Sequence, residues 1–167
     1  MSLETWLPEL LRYNDTFAKN RRTPVLGARP RRALAVLTCM DVRIDIDGAL
    51  GLALGDAHEI RNAGGLATDD AIRSLIISVH QLGTRAVLVV EHTNCGLLNL
   101  DEEAARGDIA ARTGVGLAVP FLSFTDLEQN LRAQVARLRT QPWLAGVSIE
   151  GLLYDTNSGR LMRPGLG

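Results

Sequence analysis

The chain has 167 residues, 46% of them hydrophobic and 22% charged, with a formal net charge of −1 at pH 7. That length supports one domain, 1–167, burying roughly two-thirds of its surface, and the balanced charge supplies no global field for nucleic acid. No run reaches the roughly 18 apolar residues of a membrane span, and "MSLETWLPELL" (1–11) lacks the basic start of an export signal; no membrane contact and a cytoplasmic location are the expectation.

In chain order, "SLETWLPELLRYNDTFAKN" (2–20) reads as a helix capped by Ser2, with Pro8 an awkward fit that delays its start. Trp6, Leu7, Leu10, Leu11 and Phe17 form one apolar side, to be buried by the core or by a partner subunit. The basic stretch "KNRRTPVLGARPRR" (19–32) is broken by Pro24, Gly27 and Pro30; it reads as a solvated linker, with a phosphate-binding arm as the alternative. Residues 1–32 are thus a helix and linker, and 33–167 the core. "ALAVLT" (33–38) and "AVLVVEH" (86–92) are apolar nearly throughout, as buried parallel strands are.

Between these strands, "IDIDGALGL" (44–52) is a short helix and "AHEIRNAGG" (57–65) a short strand ending in a loop. "TDDAIRSLIISVHQLG" (68–83) is a helix capped by Thr68, with Asp69 and Asp70 at its positive end and Gly83 as its stop. Further on, "TGVGLAVPFLSF" (113–124) packs as a loop over the core or lines a pocket. "TDLEQNLRAQVARLRT" (125–140) is a helix opened by a Thr125/Glu128 capping box. "VSIEGLLYDTNSGRL" (147–161) is a final strand with a turn at Asn157–Gly159. Strands alternating with helices give an α/β fold: a mostly parallel central β-sheet flanked by helices.

Both cysteines of the chain lie just past a buried strand: Cys39 after "ALAVLT", and Cys95, with His92, in "EHTNCG" (91–96). Ligands bind at the carboxyl ends of strands in open α/β sheets. Singly, a cysteine there reads as a small buried hydrophobe and a histidine as a locally satisfied side chain. Together, in a cytosolic chain, two thiols and an imidazole suit a metal better than a disulfide. Zinc fits, with a fourth position left for water. Arg43 is four residues beyond Cys39, too close for a phosphatase-type cysteine loop. Asp41 is near enough to reach the metal or its water, and Arg43 can hold Asp41 by paired hydrogen bonds. The alternative is that Asp41 caps the following helix and Arg43 is a surface charge.

"CMDVR" (39–43), "RNAGG" (61–65) and "HTNCG" (92–96), in this order, resemble the β-class carbonic anhydrases, most closely their short prokaryotic branch. The likeness spans roughly residues 33 to 100, more weakly the 147–161 strand. It implies an enzyme holding Zn2+ through Cys39, His92 and Cys95, with the Asp41–Arg43 pair beside it. It also implies a homodimer or larger assembly, with the N-terminal helix packing on a neighbouring subunit. The expected reaction is hydration of CO2 to bicarbonate by attack of zinc-bound hydroxide. Asp41 would accept the hydroxide's hydrogen, and the Gly64 N–H would orient a substrate oxygen. Two readings stand beside it: hydrolysis of carbonyl sulfide or carbon disulfide at the same zinc, and a non-catalytic zinc-stabilised module.

This sequence departs from its relatives in carrying Asn94 where many have aspartate and Glu91 where many have histidine. His58 falls where the short branch lines its site, as a proton carrier, a substrate-pocket wall or a hydrogen-bonded strand residue, while His80 reads as structural.

Overall fold

The computed structural model describes residues 2–22 and 26–165. Its centre is a five-stranded sheet in the order β2-β1-β3-β4-β5, built from β1 (Leu34–Cys39), β2 (Ala57–Asn62), β3 (Ala86–His92), β4 (Ser148–Tyr154) and β5 (Leu161–Met162). The first four strands are parallel, and β5 returns antiparallel to β4. The apolar runs that suggested buried strands do form β1 and β3, at the centre, where both faces are covered. The 147–161 segment is a hairpin rather than one strand. At its turn, Asp155 accepts hydrogen bonds from the Asn157 and Gly159 amides.

Five helices are described: α1 (Leu3–Asn20), α2 (Ile46–Leu50), α3 (Asp69–His80), α4 (Glu102–Thr113) and α5 (Leu127–Arg139). One face of the sheet packs Ala35, Leu37, Val87 and Val89 against Leu75 of α3 and Leu131, Val135 and Leu138 of α5. The other packs Val36 and Val90 with Ile44, Ile46, Cys39, Cys95 and Tyr154. Thr68 caps α3 by accepting from the Ala71 amide. The α5 cap, however, is Asp126, accepting from the Gln129 amide, not the expected Thr125/Glu128 box. Glu128 instead pairs with Arg132 one turn on.

Helix α1 runs through Pro8 without a break and has no buried residue, so the carbonyl freed by the missing proline N–H can be met by solvent. The basic linker is anchored where it meets the core rather than solvated throughout. Arg31 and Arg32 both pair with Asp56 and also donate to the Leu54 and Gly51 carbonyls. Residues 23–25 of that stretch, Pro24 among them, lie outside the described residues. Among the described residues no helix is long and apolar enough to cross a membrane.

Candidate metal centre and active site

From β1 the chain moves to one side, into β2; from β3 it moves to the other, into β4. The carboxyl ends of β1 and β3 therefore flank the switch point of the sheet, where a crevice opens. Cys39 is the last residue of β1, His92 is the last of β3, and Cys95 follows in the turn. The ligand atoms of these three side chains lie within 4.8 Å of one another. All three are buried, His92 completely.

The donor chemistry fits a cation. His92 Nδ1 lies 2.9 Å from the Thr93 carbonyl oxygen, to which it can only donate. That fixes the tautomer and leaves the Nε2 lone pair free. Nε2 is buried with no hydrogen-bond partner, an arrangement that wastes an acceptor unless something binds it. Against the cost of burial, the Cys39 thiol is pulled well below its ordinary value, first by the hydrogen bond from Cys95 and further by the Asp41 and Gly64 amides. Cys95 carries the shared proton and is pushed up. A divalent cation would displace that proton and take both sulfurs.

Arg61 and the glycine pair shape the loops around these groups. Arg61 donates to the carbonyls of Cys39, Asp41 and Ile44, pinning the segment after β1. Asn62 exchanges two 2.8 Å hydrogen bonds with the Leu66 backbone, closing the "NAGGL" loop. Gly65 has φ +68°, and a Cβ there would sit 2.9 Å from the Cys39 nitrogen, so only glycine permits this approach.

Asp41 and Arg43 face each other at the mouth. The guanidinium makes a two-pronged pair, Nε to Oδ1 at 2.9 Å and Nη2 to Oδ2 at 2.6 Å, and also donates to the Asn94 carbonyl. Those hydrogen bonds hold the Asp41 carboxyl far below the usual carboxylate range. The cap of α2 is Asp45, which accepts from the Gly48 amide, so Asp41 is not committed to a helix end. Asn94 adopts φ +58° and donates to Thr156, joining the Cys95 turn to the β4–β5 hairpin.

A cavity of about 400 Å³ opens on this group, lined by both cysteines, Asp41, Arg43, Met40, Val42, Ala63, Gly64 and Gly96. Its carbon-rich wall suits a small, poorly hydrated molecule. Two residues expected at the substrate behave differently. The Gly64 N–H is taken up by Cys39 Sγ at 3.3 Å, so it serves the thiolate rather than a substrate oxygen.

His58 pairs with Ala35, four residues before the Cys39–Asn62 pair, and so lies about 13 Å back along the strands. There it contacts Ser78 and the Ala28 carbonyl and lines a separate hollow. His80 contacts the Trp143 carbonyl. The 113–124 loop stays out of this cavity and contributes Leu122 and Ser123 to another. Sequence reasoning gave no role to Arg61 or Asn62, although both stand in the quoted "RNAGG". Burial pushes the Glu91 carboxyl up to about 8.

Comparison with known proteins agrees with this geometry. A family model described as carbonic anhydrase matches residues 34–114. Beta-carbonic anhydrase 1 of Mycobacterium tuberculosis is 34% identical over 154 residues, covering 92% of this chain and 94% of its own. A carbon disulfide hydrolase of Acidithiobacillus thiooxidans is 30% identical, over 98% of this chain and 92% of its own. The crystal structure of carbonic anhydrase from Streptococcus mutans superposes with a TM-score of 0.89 at 38% identity, over 97% of each chain. Fold, site and full-length relatives converge: this chain is an enzyme of the β-carbonic anhydrase family.

Proposed function

We propose that the chain, as a single domain, binds one zinc ion through Cys39, His92 and Cys95 and catalyses the reversible hydration of CO2 to bicarbonate. The observation that carries this reading is the buried, unpartnered His92 Nε2 within 4.8 Å of two thiol sulfurs. When bound, the zinc supplies Lewis acidity, lowering the pKa of a coordinated water so that a nucleophile exists near neutral pH.

The protein supplies the rest. Asp41, kept ionised by Arg43, can only accept a hydrogen bond, so it orients the nucleophile's hydrogen away from the substrate carbon. Arg43 adds positive charge beside a site whose two thiolates would neutralise a dication. The Gly64 amide, by donating to Cys39 Sγ, withdraws electron density from one thiolate and partly restores the cation's acidity. Val42 and Met40, 97% and 65% exposed, give the cavity an apolar rim that CO2 crosses more readily than ions do.

The exposed apolar side of α1, with Leu3, Leu7, Leu10, Leu11 and Phe17, supports a homodimer or larger assembly in which a second copy covers it. Both cysteines are free thiols, which suits the reducing cytoplasm. A second reading has a specific observation behind it. The carbon disulfide hydrolase relative matches nearly the whole chain, and the apolar cavity would admit a sulfur analogue equally well.

One zinc-loaded preparation, assayed by stopped flow for CO2 hydration and for sulfide release from carbonyl sulfide, separates the two. Hydration should be the faster turnover. Faster sulfide release would transfer the assignment to the second reading, and neither activity would overturn both.

A further inference from the structure

Residues 91 and 92 leave β3 on opposite faces, as successive strand residues must. His92 turns to the metal cavity, whereas Glu91 turns under the sheet toward α5. There Glu91 is 1% exposed, with Oε1 accepting from Asn130 Nδ2 at 2.8 Å and Oε2 without a hydrogen-bond partner. The chain continues: Asn130 Oδ1 accepts from Gln134 Nε2 at 3.0 Å, and Gln134 Oε1 accepts from the Ala67 amide at 2.9 Å. Ala67 closes the loop in which the Gly64 amide touches Cys39 Sγ and Gly65 packs on the Cys39 backbone.

We propose that Glu91, Asn130 and Gln134 are positioning residues: a part-buried hydrogen-bond chain through α5 that ties the His92 end of β3 to the loop gripping Cys39, and so fixes the spacing of the two ligand-bearing strand ends. This rests on the metal-centre reading given above. A leucine at position 91 would fill the same space without burying a carboxyl that has one unanswered oxygen, so packing alone does not account for this residue. What the polar chain adds is direction. Each link accepts or donates along one line, and hydrogen bonds constrain distance and angle where apolar contacts are non-directional. No link touches a ligand atom, so the chain acts through His92 and Cys39 and not on the substrate.

The test uses the zinc-loaded and cobalt(II)-substituted full chain. Asn130→Leu and Gln134→Met each remove two links of the chain, and Glu91→Leu removes one. We expect zinc transfer to a chromophoric chelator to accelerate about tenfold or more, the range typical for groups that orient metal ligands. The cobalt–thiolate charge-transfer band should shift in the same variants. Glu91→Gln, whose amide oxygen still accepts from Asn130, should stay near the parent in both.

Folded variants with lower melting temperatures but parental zinc release and an unmoved cobalt band would overturn the proposal, since a purely structural role predicts that pattern. Should the three variants fail to fold, hydrogen exchange in the parent decides: zinc loading should slow exchange at the Ala67 amide, and indifference there would overturn the proposal. A parent that binds neither metal would instead overturn the metal-centre reading itself.

Discussion

Asp41 illustrates how a side chain's role depends on what else competes for it. At the position after a strand, an aspartate two residues before an arginine could serve as a helix cap, yet Asp45 performs that task and leaves Asp41 to Arg43. Because the pair depresses the Asp41 pKa, its acceptor role persists at every pH above that depressed value and is lost only as pH falls through it. Replacing Arg43 by methionine removes the cause. The carbon-13 NMR midpoint of the Asp41 carboxyl should then rise toward the ordinary aspartate value, and kcat/KM should fall about a hundredfold from lost orientation; an unmoved midpoint contradicts the pairing argument.

Spacing made the Asp41–Arg43 contact legible from the sequence. It did not reveal that the Gly64 amide faces sulfur, because that depends on how closely two loops approach in space. Nor did it reveal the strand register that sets His58 far back from the carboxyl edge.

Among the elements, β1, β3 and α3 were readable because period, composition and cap residues agreed. Helix α4 was not read, although Asp101 caps it, Glu102 and Glu103 begin it and Gly114 ends it in the left-handed region. It buries no residue, so it lacks the apolar stripe by which surface helices are usually recognised. Local capping and the Glu102–Arg106 ion pair hold it instead.

Helix α1 shows the reverse, an apolar side that the described residues leave exposed. Burying two leucines contributes about 3 to 6 kcal/mol, so a Leu7→Glu, Leu10→Glu variant should weaken subunit association at least about a hundredfold. Sedimentation velocity would show this as a shift from dimer or larger to monomer. A parent that already sediments as a monomer would contradict the role given to α1.

For the molecule as a whole, the sheet order turns two distant sequence motifs into one site. Cys39 and the His92–Cys95 turn are brought together because β1 and β3 are hydrogen-bonded neighbours whose chains leave in opposite directions. The sequence carried the strand ends and the chemistry found there. The supporting contacts from Arg61, Asn62 and the Asn130–Gln134 chain required the tertiary arrangement, since their partners are backbone groups or lie far away in sequence.

The central claim, that a cation sits between these strand ends with one exchangeable position, is tested most directly by zinc-edge X-ray absorption with metal analysis of the purified chain. The account predicts one zinc per chain, two sulfur neighbours at about 2.3 Å, one nitrogen at about 2.0 Å and one further light atom from solvent. Folded protein that retains no zinc, or a shell without two sulfurs, would contradict it.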